Sequence, residues 1–373
     1  MKSIAGLESV PSPALLFDAD RIERNIQRMR DAVGGDCSLL RPHIKTHKCA
    51  EILRLQPDIQ QIKCATIAEA ELAASVGVPD VLVAYPLVGP NAARLAALAT
   101  KFPETSFSTV IDSDAGIDGL ESVATGTFSI FLDFDCGMHR TGVSSVEKSV
   151  DLVKRIIASE KLTFAGVHAY DGHIHDAALS DRRSQFDAAI AEIDRLLARL
   201  EENDIEVPLV VSGGSPTFEM HAERAMAATI PWQCSPGTTV LWDAGYGEHY
   251  AEFDFEAAAF LLCRVVSHPG DDMICVDLGT KAVSAENPIA NRVRFPDIPC
   301  GATHGVEFVS QSEEHLVLRI ENQADIPIGT EVVGIPYHVC PSVALHQHAR
   351  IIRGGQITEE KWPIVARVRE ISV

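Results

Sequence analysis

The stretch "LRPHIKTHKC", Leu40 to Cys49, sets two histidines, two lysines and an arginine close together in a chain whose net charge is -20. An acidic globular surface has no structural use for so dense a basic knot. On an extended backbone Lys45 shares a face with His43 and His47 and points opposite to Ile44 and Thr46. With Ile44 packed outward, Lys45 points inward, where an amine is costly unless it is paired or covalently used. Arg41, His43 and His47 disfavour its ammonium form, which suits an amine nucleophile. Lys48 falls on the other face. On residue types alone, a phosphate or carboxylate contact for both lysines stays open.

Two small-residue loops add to this. "SGGSP", Ser212 to Pro216, offers backbone N–H groups that can hold a phosphate with no side chains in the way. "SPGTTV", Ser235 to Val240, is a second such loop. Each alone reads more readily as a plain turn. Together with an inward lysine they point to pyridoxal phosphate. In "YDGHIHD", His173 and His175 follow Tyr170 on one loop. In "IPYHVCPSVALHQH", His338 and Cys340 stand two residues apart, on one face if the segment is a strand. A lone His-x-Cys is a weak metal signal, and a buried structural pair is its commoner meaning. His346 and His348 are read as structural or supporting.

The octapeptide "RPHIKTHK" and the late His-x-Cys resemble the signature of the D-threonine aldolase and eukaryotic-type D-serine dehydratase family, fold-type III pyridoxal-phosphate enzymes with an alanine-racemase-like architecture. The resemblance runs from "PSPALLFDADRIERNI" to "YHVCPSVALHQHARII", nearly the whole chain. It implies that Lys45 carries the cofactor as a Schiff base. It also implies that Arg140 and Tyr170 contact the pyridine ring and that Ser212, Gly213, Gly214, Gly237 and Thr238 hold the phosphate. His338 and Cys340 would then bind one divalent metal beside the cofactor. A thiolate ligand leans the choice towards zinc over manganese or magnesium. Open coordination positions would let that metal act as a Lewis acid at the substrate's β-hydroxyl.

The elements that must position these residues follow a strand-then-helix rhythm. "VPDVLVAYPLVGPNAARLAALATKF" is a Val-rich run, a Pro/Gly loop and an Ala/Leu helix, and "FSIFLDFDCGMHRTGVSSVEKSVDLVKRIIAS" repeats the plan. "PALLFDADRIERNIQRMRDAV" is read as the first such unit, with Ile22, Ile26 and Met29 at helical spacing. About eight units predict a parallel (β/α)8 barrel over 10–240. The polar clusters fall at strand ends, where a barrel keeps its active site. From Leu241 the pattern turns to strands without a convincing helix, which predicts a mainly antiparallel β-domain over 241–373, with 1–9.

The 373 residues are 46% hydrophobic and 23% charged, with 52 acids against 32 bases. That balance argues against nucleic acid or an anionic membrane as partner. No apolar run approaches the roughly 18 residues of a membrane span. Nine scattered cysteines without a CxxC predict reduced thiols, mostly core-packed, in a cytoplasmic protein. The resemblance implies a small D-β-hydroxy-α-amino acid as partner, and a homodimer. For the reaction, the family's aldolases place a histidine base a few residues after the tyrosine. His175 is the nearest match if one loop residue is missing, which leaves His173 in play. This loop favours D-threonine aldolase chemistry, giving glycine and an aldehyde. Cys340 favours the rival D-serine or D-threo-3-hydroxyaspartate dehydratase. An amino-acid racemase and a non-catalytic cofactor carrier complete the alternatives.

Overall fold

The computed structural model describes residues 4–124, 126–296, 298, 306–320 and 326–373. They form two compact units. One comprises Met29–Lys45, Leu53–Gly237 and Val368–Val373; the other comprises Met1–Arg28, Thr46–Ile52 and Thr238–Arg367.

Numbered along the whole chain, β1 (Ala14–Asp18) belongs to the second unit. The first unit is built on β2 (Gln61–Cys64), β3 (Asp80–Val83), β4 (Ser106–Ile111), β5 (Phe128–Asp133), β6 (Leu162–Ala169), β7 (Val210–Ser212) and β8 (Trp232–Cys234). Each pairs in parallel with the next. Helices cover the outside, so the strands are buried and read as apolar runs. Three of those helices start on a side-chain cap: Thr66 accepts from Glu69 N–H at 3.1 Å, Ser113 from Gly116 N–H at 3.3 Å and Ser145 from Lys148 N–H at 3.3 Å. Leu82, Val110, Phe131 and Val211 pack together as one apolar cluster of the unit.

Seven regular strands do not close a barrel, and the chain solves this irregularly. Leu40 and His43 form single parallel bridges to Cys234 and Lys63. Arg41 N–H donates to Cys234 O at 2.8 Å, His43 N–H to Pro236 O at 2.8 Å and Ile44 N–H to Lys63 O at 2.9 Å. Lys63 N–H returns a bond to Pro42 O at 2.9 Å. The segment 40–44 is therefore the eighth stave, between β8 and β2. Pro42 lacks an N–H and the pairing is too sparse for a regular strand.

The second unit holds β1, β9 (Ala259–Gly270), β10 (Met273–Val276), β11 (Val293–Arg294), β12 (Glu307–Gln311), β13 (Leu316–Arg319), β14 (Glu331–Pro336), β15 (His348–Arg353) and β16 (Gln356–Pro363). Among the described residues these make one sheet in the order β12-β13-β10-β9-β1-β15-β16, with β14 on β9 and β11 on β14. All pairs are antiparallel except β1 with β15. Val10, Leu16, Phe260, Leu262, Val333 and Ile352 form an apolar cluster on this sheet.

This corrects one expectation. The run "PALLF", read as the first barrel strand, is β1, a central strand of the antiparallel sheet between β9 and β15. A run buried on both faces looks alike in either setting. The helix after it, Ala19–Ala32, does bury Ile22, Ile26 and Met29. The expected absence of helices beyond Leu241 also fails: Ala244–His249 and Val339–Ala344 are short helices. Of the cysteines, eight are free thiols and Cys300 lies outside the described residues. Among the described residues no helix is long and apolar enough to cross a membrane.

The stave also explains Arg41. Its guanidinium, 1% exposed, is held by both Asp80 carboxylate oxygens at 2.9 and 2.5 Å and by Gln233 Oε1 at 2.7 Å. Asp80→Ala should strand a buried charge and cost on the order of 3 kcal/mol, read from the urea midpoint. Adding Arg41→Met should recover part of that loss.

Candidate active site

Lys45 lies in the turn that leaves the eighth stave, half-buried. His43 Nδ1 accepts the Lys45 N–H at 3.2 Å. His47 repeats the device, its Nδ1 accepting Cys49 N–H at 3.1 Å. Burial drives the His47 imidazole down to about 3, so it stays neutral and able to accept. The two histidines of the knot thus build backbone, and Arg41 is spent on Asp80. The expected strand parity of Lys45 with His47 does not hold, because the backbone turns at Ile44–His47.

At the C-terminal ends of the barrel strands lies a cavity lined by Lys45, Arg140 and Tyr170, as the sequence predicts, and by Lys63, Asp133 and His168, which sequence reasoning did not assign. Tyr170 is the platform. The Nζ atoms of Lys45 and Lys63 lie 5.6 and 5.7 Å from its ring centroid, and Arg140 Cζ lies at 5.0 Å. Asp133 accepts from Thr141 Oγ1 at 2.8 Å and from His168 Nδ1 at 2.7 Å. Burial pushes its carboxyl up, but His168, Thr141 and Lys63 outweigh that and hold it below the ordinary range. Burial lowers His168, so it is a neutral ring donating through Nδ1. Its buried Nε2 has no hydrogen-bond partner among the described residues.

Behind the glycine loop is a second polar group. Asp171 accepts from Thr217 Oγ1 at 2.6 Å and from His221 Nε2 at 2.9 Å, with all three residues at most 3% exposed. Gly213 has φ +89, and a Cβ there would fall 2.3 Å from His221 Cδ2. Ser212 Oγ and Gly213 N–H both donate to Ala169 O, at 2.8 and 3.2 Å, which fixes the loop to β6. Gly237 N–H donates to Ser215 Oγ at 3.1 Å and Ser235 N–H to Ser212 O at 3.0 Å, which joins the two small-residue loops. The Ser235 hydroxyl is buried with no partner among the described residues. An orphaned hydroxyl beside side-chain-free backbone fits a phosphate. An amine over an aromatic ring in the adjoining cavity fits the aldehyde end of pyridoxal phosphate.

His173 and His175 do not line the cavity. His175 is exposed, its Nδ1 on His173 O at 2.6 Å. His173 packs on Gly137, where a Cβ would fall 2.7 Å from its Nε2, and its buried Nδ1 has no partner among the described residues. Gly137 adjoins Met138, which does line the cavity.

Thr238, His338 and Cys340 belong to the second unit. His338 caps the helix Val339–Ala344 from an extended backbone, and Cys340 lies in the first turn, so the pair does not sit on a strand as expected. Burial opposes the His338 cation, but hydrogen bonds to Cys340 and Glu286 raise it to about 9. Cys340 Sγ donates to Thr46 Oγ1 at 3.2 Å and lies 3.8 Å from Thr238 Oγ1. Among the described residues no group of three or more His, Cys, Asp or Glu side chains is placed to hold a metal. The donor set is therefore two side chains that already touch, which fits an ion completed by other ligands. His346 Nε2 is on Ala282 O at 2.8 Å, a structural role.

The signals that could have found the missed residues were present. Lys63 is a charge inside a buried strand, Asp133 ends β5, and His168 stands two residues before Tyr170 and so shares its face.

Residues 17–233 match the family described as alanine racemase, N-terminal domain, and residues 258–352 the putative serine dehydratase domain. The 3-hydroxy-D-aspartate aldolase of Paracoccus denitrificans is 30% identical over 96% of this chain and 92% of that one. The D-threonine aldolase of an Arthrobacter species is 27% identical over 97% and 94%. The crystal structure of D-threonine aldolase from Filomicrobium marinum superposes with a TM-score of 0.86 at 27% identity, covering 98% of both chains.

Gly213→Ala should weaken pyridoxal phosphate binding and destabilise the protein more than Gly35→Ala. Both positions have left-handed backbones, φ +89 and +86, but nothing lies within 4 Å of a Cβ at Gly35. The left-handed backbone alone costs about 1–2 kcal/mol, and the clash with His221 should add to it, measured by urea unfolding and cofactor titration.

Proposed function

The chain belongs to the D-threonine aldolase and D-serine dehydratase family of alanine-racemase-fold, pyridoxal-phosphate enzymes, whose members are lyases, and on that premise we propose that it cleaves D-β-hydroxy-α-amino acids to glycine and an aldehyde. Bound at Lys45, pyridoxal phosphate draws electrons from the bonds at the substrate's Cα, and a divalent ion at His338 and Cys340 supplies a Lewis acid for the β-hydroxyl. Ser212, Gly213, Gly214, Gly237 and Thr238 hold the phosphate in this reading, while Arg140 and Tyr170 orient the ring. The lysines and Arg140 make the cavity suited to an anionic ligand.

The observation that carries the aldolase reading is the histidine loop. Retro-aldol cleavage needs a base that takes the β-hydroxyl proton before the Cα–Cβ bond breaks. His173 offers an unpartnered, buried Nδ1 beside the loop that contributes Met138, and His175 follows on the exposed side. The dehydratase reading draws on Cys340 and on the serine-dehydratase-like match of residues 258–352. It needs loss of the Cα proton and departure of the hydroxyl on the metal.

Product analysis separates the two. Purified protein with D-threonine should give glycine and acetaldehyde; pyruvate and ammonia from D-serine would replace this reading by the dehydratase. Lys45→Ala should lose the cofactor absorbance, and chelation should stop turnover while leaving that absorbance. His175→Ala or His173→Ala should lower the turnover number by about 10²–10⁴ with the cofactor retained. Near-native turnover in both would place the base elsewhere.

A further inference from the structure

β2 is buried along its whole length, and Lys63 within it is 2% exposed. An amine in such a place is costly unless it is neutralised or used. The nearby acids are already engaged: Asp133 by His168 and Thr141, Asp171 by His221 and Thr217. What Lys63 does share is the cavity and ring of Lys45, with the two amines almost equally far from the Tyr170 centroid, at 5.7 and 5.6 Å. Their backbones are fixed to one another through the His43–Lys63 bridge and the Ile44 N–H bond to Lys63 O. Two amines thus share one cavity and one ring, and one of them is the expected attachment point.

We propose that Lys63 is the proton-transfer residue of this cavity, taking and returning the proton each time the Lys45 nitrogen makes or gives up its bond to the cofactor carbon. The inference rests on the reading of Lys45 as the attachment point. When Lys45 adds to the cofactor aldehyde, a carbon–nitrogen bond forms and the oxygen leaves as water. Two protons depart the nitrogen and end on that oxygen, and Lys63 carries them one at a time, accepting as an amine and giving as an ammonium. When a substrate enters, its amino nitrogen bonds to the same carbon and the bond to Lys45 breaks. Two protons then pass, one at a time through Lys63, from the incoming nitrogen to the departing one.

The surroundings suit that task. Burial first, and the neighbouring Lys45 charge second, bring Lys63 down to about 7, while Asp171 and Asp133 hold it from falling further. The groups facing it are Lys45, His43 and Arg41 from the eighth stave and its turn, Asp133 and Arg140 at β5, and His168 and Asp171 at β6. A proton carrier works best when its two forms are near balance at the working pH.

The test mixes cofactor-free protein with pyridoxal phosphate and follows the rate of attachment by absorbance between pH 6 and 8.5. Unmodified protein should show an inflection near pH 7. In Lys63→Met the cofactor should still end on Lys45, located by borohydride reduction and peptide mass spectrometry. Its rate should fall by on the order of 10²-fold, and the inflection should vanish. Lys63→Arg keeps the charge but cannot release the proton, so it should stay slow. An unchanged rate in Lys63→Met, full recovery in Lys63→Arg, or no inflection in the unmodified protein each overturns the proposal while leaving Lys45 as the attachment point. A label found on Lys63 instead overturns the reading of Lys45 as well. Should Lys63→Met fail to fold, Lys63→Arg and the unmodified pH profile decide.

Discussion

The barrel of the first unit depends on four backbone hydrogen bonds made by residues 41, 43, 44 and 63. An open barrel leaves two strand edges with unpaired N–H and C=O groups, and closing it is the one way to satisfy both. Each bond is worth only about 1 kcal/mol net. Their geometric effect is larger, because the stave they fix runs directly into Lys45. Lys45 therefore sits where the barrel shuts, and its position is set by the same bonds that complete the fold. His43 extends this order past the last bridge by accepting the Lys45 N–H as the chain turns away.

Charge explains the rest of the cavity. Lys45, Lys63 and Arg140 all lie over the Tyr170 ring, and positive charges so placed repel one another, which helps to bring Lys63 down to about 7. Tyrosine's π-face offsets a part of that repulsion. The acids that could offset more, Asp133 and Asp171, are each committed to a histidine and a threonine. The cavity is thus left short of negative charge, a deficit that an anionic cofactor and substrate would fill. The two histidine–carboxylate pairs serve rigidity as well: Asp133 and His168 join β5 to β6, and His221 closes the space behind Gly213.

Fold class and the placing of a site at the strand ends were legible because they obey local rules. Ser- and Thr-capped helices follow Val-rich strands at regular intervals, and polar clusters mark the strand ends. The eighth stave was not legible as a strand, since Pro42 and the sparse pairing erase the alternation that identifies one. β1 was misplaced for the opposite reason: a run buried on both faces carries no sign of which sheet receives it. Lys63, His168 and Asp171 were passed over because each is a single polar residue in or beside an apolar run. Only the tertiary structure shows that such residues converge. Arg41 and His47 were legible as basic but not as structural, because their partners, Asp80 at the start of β3 and the Cys49 amide, lie outside any sequence motif.

The His338–Cys340 pair shows how two side chains can meet without the strand that their spacing suggests. Residues two apart face one another on a strand, and in the body of a helix they do not. Here His338 keeps an extended backbone, φ -127 and ψ 107, as the N-cap of the helix that contains Cys340, so the side chains still meet. That junction is pinned by Asp243, which is 2% exposed and accepts both Val339 N–H at 3.0 Å and Tyr246 N–H at 2.9 Å. Burial raises its carboxyl to about 6, the cost of placing an acid where two helix starts need one acceptor. A pair built at a helix start also has a consequence for chemistry. Two side chains cannot enclose an ion, so a metal held there would depend on water or a substrate oxygen for its remaining positions.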